Sequence, residues 1–171
     1  SRTARSDASW KTRGKHTMNI FRLHGDPRIA AKHHDDTRVV KMCLEAAQCL
    51  ATGLRIRARD PTSPFTEAYC DDLGVYEAFN DDNRLPHWAA ESQSNLWTVF
   101  DLVKALADEH YQRFEPADFH DSWYRARQWE ELIELVPDHG DTEQPYQGND
   151  QYEKNDIVAA YREYYAYEKG A

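Results

Sequence analysis

Apolar residues recur at three- and four-residue spacing along most of this chain, and no alternating run is long enough for a central strand. The clearest case follows Asp35 and Asp36. There Val39, Val40, Cys43, Ala47 and Leu50 fall on one side of a predicted helix, which either aspartate can cap and Gly53 is expected to end. Just upstream, Asp26 followed by Pro27 pairs a capping carboxylate with a proline at the first helical position, predicting a short helix to about His34. Trp88, Leu96, Phe100, Val103, Leu106, Ala107 and Phe114 predict a long central helix from His87 to Phe114. Pro116 is placed to open the next, with Phe119, Trp123, Ala126, Leu132, Ile133 and Val136 roughly on one side until Pro137. Arg55 to Pro64 reads as a charged connection, Phe65 to Phe79 as an irregular helix interrupted at Gly74, and Asp138 to Asp150 as a loop. Ile157, Ala160, Tyr161 and Tyr164 mark a last helix. With no internal repeat, the expected fold is all-α, a compact single-domain bundle of about five helices.

Residues 1–17 break this pattern, with five Lys or Arg, one acid and little apolar periodicity. They are expected to form a basic flexible arm, and residues 18–171 the all-α domain, which Met18 opens with the apolar run Met-Asn-Ile-Phe-Arg-Leu. A chain of 171 residues, 40% hydrophobic and 12% aromatic, has enough apolar material for one core without staples. Cys43, Cys49 and Cys70 cannot all pair within one chain, so reduced and mostly buried thiols are expected. No apolar run approaches the roughly 18 residues of a membrane span, and the N-terminus lacks a signal-like apolar region. The expectation is a soluble, cytoplasmic protein without a membrane partner, in the host cell if it is viral.

Charge divides the chain. The first 59 residues hold 13 Lys and Arg against 5 Asp and Glu, and the remaining 112 hold 8 against 25. A net charge of −9 argues against a general nucleic-acid binder, because phosphate affinity needs cations that release counterions. Local charge matters more than the total, so double-stranded DNA is expected to meet the basic N-terminal half. The acidic remainder serves either as a solvated face or as a dock for a basic protein partner.

The basic half also carries a polar stripe. His34, Arg38, Lys41, Glu45 and Gln48 follow helical spacing. A carboxylate one turn from an amine, beside a guanidinium, is what base excision needs. The amine attacks the sugar C1′, the carboxylate moves protons, and arginine holds phosphates. The competing reading is a solvated ladder of ion pairs, although lysine before glutamate is the weaker order for helix stabilisation. His33, His34, Asp35 and Asp36 are ligand types at poor spacing, so helix capping explains the aspartates better and no metal is expected. Cys43 lies on the apolar side as a core thiol. Tyr165 and Tyr167 fall outside the last helix's apolar stripe and are the candidates for a base-stacking surface.

From Met18 onward the chain resembles a family of small phage-type proteins that begin Met-Asn-Ile-Phe, continue with Asp-Pro and paired alanines, and carry an Asp-Asp-x-Arg-Val-Val-Lys-Met-x-Leu-Glu-x-Ala-Gln-x-Leu block. Here that block is Asp35 to Leu50. Weaker likeness runs through Trp88–Trp97, Asp108–Phe114 and Ala160–Tyr165. These proteins in turn look like distant relatives of the pyrimidine-dimer DNA glycosylases of the phage endonuclease V type, through an Asp and a Glu ten residues apart, here Asp35 and Glu45. The resemblance implies a compact all-α enzyme with Glu45 as catalytic carboxylate and Arg38 and Lys41 beside it. Those glycosylases attack with an α-amine exposed by methionine removal, whereas 17 residues precede Met18 here. The order Asn83-Arg-Leu-Pro86-His87 also departs from the relatives' Asn-His-Pro step, leaving His87 as a helix-entry residue.

The expected function is therefore DNA base excision with AP-lyase activity and no cofactor. Glu45 and Lys41, or an N-terminal amine, would carry the chemistry, and Arg22, His34, Arg38, Arg55 and Arg57 would contact DNA. Two other readings stand beside it: a phage transferase that modifies DNA bases, and a non-enzymatic viral interaction or structural protein.

Overall fold

A computed structural model describes residues 18–170 of the chain. The expected arm, residues 1–17, lies outside the described residues. Among those described the protein is all-α, with no strand and no helix long and apolar enough to cross a membrane.

Capping chemistry sets the first two helices. Asp26 accepts from the Arg28 N–H at 2.9 Å to start α1, Pro27–Lys32, with proline in its first turn. Asp35, not Asp36, caps α2, accepting from the Arg38 N–H at 2.8 Å. Helix α2 runs Asp36–Arg59 and does not end at Gly53. A Cβ at that position would stand 3.3 Å from the Ala89 Cβ, the Leu96 Cδ2 and the Pro86 carbonyl. Glycine therefore serves the close approach of two neighbours, α4 (Arg84–Ala90) and α5 (Gln93–Phe114). Its helix-propensity cost of about 1 kcal/mol is set against that packing.

The long helix expected over His87–Phe114 is two helices broken at Glu91–Ser92. At the break, Ser92 Oγ donates to Asp138 at 2.9 Å and accepts from the His139 N–H at 2.9 Å, fastening the later loop to the start of α5. Helix α2 packs most extensively on α5 and next on α4. Val39, Cys43, Ala46, Ala47, Leu50 and Leu54 on α2 meet a core that includes Leu96, Val99, Val103 and Leu106 on α5, all at most 1% exposed.

Shorter elements close the bundle. The irregular helix expected over Phe65–Phe79 shrinks to α3, Glu67–Asp72, followed by Gly74 at φ +68°. Pro116 does not open a helix. It follows Glu115, which caps α5 in the left-handed conformation at φ 47°, and α6 starts only at Asp121. The segment expected as one helix is α6 (Asp121–Ala126), a 3₁₀ turn (Arg127–Trp129) and α7 (Glu130–Leu135). Finally α8, Ile157–Gly170, brings Tyr161, Tyr164 and Tyr165 into the core, where they surround Phe21 at ring-centroid distances of 5.1–6.1 Å.

Candidate active site on helix α2

The site begins with the stretch ahead of α1. Met18, Asn19, Ile20, Phe21 and Leu23 are all buried, Met18 to 1% exposure, so the first described residues run through the interior. Such a segment must satisfy its backbone groups with side chains. Asn83 Nδ2 donates to the Met18 carbonyl at 2.9 Å, while its Oδ1 caps α4 through the Leu85 N–H. Asn19 Nδ2 donates to the Gln147 carbonyl at 3.1 Å, and Tyr161 Oη donates to Asn19 Oδ1 at 3.1 Å. Gln144 Nε2 donates to the Ile20 carbonyl at 2.9 Å.

These contacts hold the Asn19 N–H against Glu45, whose Oε1 accepts from it at 3.0 Å. The Glu45 side chain is 12% exposed, and its Oε2 is buried without a hydrogen-bond partner. Lys41 Nζ, one turn earlier, stands 3.9 Å from Oε2, beyond hydrogen-bonding range, on a side chain 71% exposed. Burial raises the affinity of Glu45 for a proton, outweighing the opposing effects of the Asn19 N–H and the Lys41 charge. A carboxyl with one oxygen anchored, the other free of hydrogen bonds beside an amine and its titration moved toward neutrality suits proton transfer.

Arg38 lies on the same face in a different setting. Its guanidinium bonds Asp35 at 2.9 Å, reaches Glu168 at 3.9 Å and covers the Tyr165 ring at 5.3 Å. Asp35 is thereby held below the usual carboxylate range: burial opposes this, but the Arg38 N–H and guanidinium together prevail. The structure thus brings Lys41 to Glu45 and Arg38 to Asp35.

Other expected site residues are placed elsewhere. His34 does not join the polar stripe. It precedes α2, is 3% exposed, and its Nδ1 lies 2.8 Å from the Ala30 carbonyl, with its ring packed against Phe21 and Tyr165. Burial lowers its pKa to about 4, leaving it neutral. Arg55 is also interior, 5% exposed, donating to the carbonyls of Tyr76 and Val75 and to Asp71. Arg57 is half-buried, and its Nε lacks a hydrogen-bond partner. Arg22 donates to the Gly25 carbonyl at 3.0 Å, and burial lowers its pKa. Tyr165, expected on the surface, is 5% exposed with its hydroxyl accepting from the Asp35 N–H, whereas Tyr167 is 54% exposed. Cys43 is buried, donates to the Val103 carbonyl at 3.6 Å, and has its thiol pushed up to about 12.

Folding also mixes the two charged halves. Arg59 pairs with Glu67 and Asp81, and Arg113 from the acidic half pairs with Asp36. Asn19, Asn83, Gln147 and Tyr161, which build the surroundings of Glu45, carry no spacing signal that singles them out. Their common feature is a hydrogen bond between a side chain and a backbone group elsewhere in the chain: Asn19, Asn83 and Tyr161 supply the side chain, and Gln147 the backbone that Asn19 and Tyr161 meet. Comparison of the chain with family models, with curated proteins and with solved structures gives no match.

Proposed function

We propose that this protein is a DNA-acting enzyme, most like a pyrimidine-dimer DNA glycosylase with AP-lyase activity. The observation that supports the reading is the state of Glu45: nearly buried, anchored at one oxygen by the Asn19 N–H, and at the other without a hydrogen bond but 3.9 Å from the exposed Lys41 amine one helical turn away. In the reaction an amine lone pair forms a bond to C1′ while the glycosidic bond breaks and its electrons leave with the base. Loss of the amine's proton and opening of the sugar give a Schiff base, from which β-elimination expels the 3′ phosphate. Glu45 shuttles the protons and faces the cationic transition state.

Two nitrogens stand beside that carboxyl. Lys41 Nζ is an amine in the chain as written. The Asn19 nitrogen is closer, but as a peptide nitrogen its lone pair is delocalised into the carbonyl, and it becomes nucleophilic only when the Met18–Asn19 bond is absent.

Borohydride trapping on ultraviolet-irradiated duplex DNA tests the proposal, with undamaged DNA, Glu45→Gln and Lys41→Ala alongside. A lesion-dependent covalent adduct that Glu45→Gln abolishes is the expected result. Loss in Lys41→Ala assigns the nucleophile to Lys41, and retention assigns it to a terminal amine. Absence of any adduct with DNA binding intact would sink imine chemistry and favour base modification or an architectural role.

A further inference from the structure

Among the described residues, nine of the sixteen Lys and Arg stand in ion pairs, Arg38, Arg55, Arg59, Lys104, Arg113 and Lys154 among them. A groove of about 370 Å³ beside α8 stands apart from these pairs, lined by Leu23, His33, Arg162, Tyr165, Ala166 and Lys169. Its ionisable lining is three bases and a phenol, in a chain of net charge −9. Among the described residues, no carboxylate forms an ion pair with His33, Arg162 or Lys169. The α8 acids closest in sequence to these bases are engaged elsewhere, Glu163 with Lys154 at 2.6 Å and Glu168 with Arg38 at 3.9 Å.

Placement follows from helix periodicity. Arg162 and Lys169 are seven residues apart on α8 and share a face. Arg162 Nε donates to the Leu23 carbonyl at 2.8 Å, which fixes the guanidinium at the groove. Tyr165 forms part of the wall, and Arg38 covers its ring. Cations along an open groove that lacks acids, with apolar surface between them, match a chain of phosphates joined by sugars.

We propose that this groove binds the backbone phosphates of a nucleic-acid strand. The proposal rests on the reading of the protein as DNA-acting and adds where the strand lies: along α8, on the side of Tyr165 that carries Leu23 and His33.

The test is fluorescence anisotropy of a labelled, undamaged duplex over a sodium chloride series. It uses the full chain in a Glu45→Gln background, so that no chemistry intervenes. The double variant Arg162→Gln/Lys169→Gln should weaken binding tenfold or more and lower the salt slope by about two, one for each phosphate contact removed. Lys104→Gln, which removes a paired lysine on α5, should leave both unchanged. Equal affinity and equal slope in the double variant would overturn the proposal, provided thermal melts show both proteins folded. Inorganic phosphate supplies a second arm. If it shifts the NMR signals of the His33 ring while duplex affinity ignores the double variant, the groove takes free anions only, and the strand assignment falls. A groove-dependent duplex affinity without borohydride trapping in the parent would keep this site and reject base excision, so the two failures are separable.

Discussion

Near the C-terminal end of α2, Arg55 is 5% exposed and makes hydrogen bonds to the Tyr76 carbonyl at 2.7 Å, the Val75 carbonyl at 2.6 Å and Asp71 at 2.8 Å. Nearly three turns earlier, Glu45 is 12% exposed with one hydrogen bond and one buried oxygen that has none. Both are charged residues of one helix taken largely out of water, and their surroundings treat them oppositely. A buried ion costs several kcal/mol of lost hydration unless bonds and counter-charge replace the water. Arg55 has that replacement and knits α2 to α3 and the segment after it. Glu45 has half of it, and the missing half is what an incoming proton or developing positive charge would supply.

The largest effect expected from this contrast is at Arg55. Arg55→Leu leaves two carbonyls without their donor, while Asp71 is exposed enough to be hydrated, and should cost about 2–6 kcal/mol, read as a lowered urea midpoint. A midpoint that does not move would erase the distinction between the two residues. Next comes His34, the buried base nearest the start of α2. Its folded pKa of about 4 lies below the ordinary 6.5, so its contribution to stability is whole above 6.5 and is lost as pH falls toward 4. That loss amounts to about 3 kcal/mol. Urea titrations from pH 7 to 4 should show the decline, and His34→Phe should flatten it. An unchanged slope would mean that other groups govern acid unfolding.

The smallest effect on stability should come from Glu45. Its folded pKa is raised, so the stability it contributes is whole below the ordinary glutamate range and is lost as pH rises through the raised value. At neutral pH, Glu45→Gln keeps an acceptor for the Asn19 N–H and should stabilise the fold by less than about 1 kcal/mol while removing borohydride trapping. A strongly destabilised variant would assign Glu45 to the fold and not to chemistry. Comparing melts of the two proteins at pH 5 and pH 8 sharpens the point, because the gain from substitution should be larger at pH 8.

Much of the architecture was legible because it rests on local rules. Helix class, the caps at Asp26 and Asp35, the buried cysteines and the apolar stripe of α2, except Val40, which is 38% exposed, all follow from spacing and residue type within a few positions. Boundaries failed where a distant contact or an adjacent left-handed turn decided them. Gly53 reads as a stop until Ala89, Leu96 and Pro86 are seen against it, and Pro116 reads as a start until Glu115 turns the chain first. The pairing of Lys41 with Glu45 was likewise visible, since four residues make one helical turn.

What only the tertiary structure decided is the environment of each charge. Residue type puts His34 and Arg55 in the same class as Arg38 and Lys41, as polar residues of a basic segment. Burial separates them: His34 becomes a neutral core ring and Arg55 an internal clasp, while Lys41 stays 71% exposed. The Asn19 N–H reaches Glu45 across 26 positions of sequence, and Arg162 reaches the Leu23 carbonyl across 139. No local pattern encodes such contacts, because they depend on how helices and loops dock. Residue type and periodicity set which groups can carry charge or form a helix; dehydration by distant parts of the chain determines which of those charges is satisfied and which remains available for chemistry.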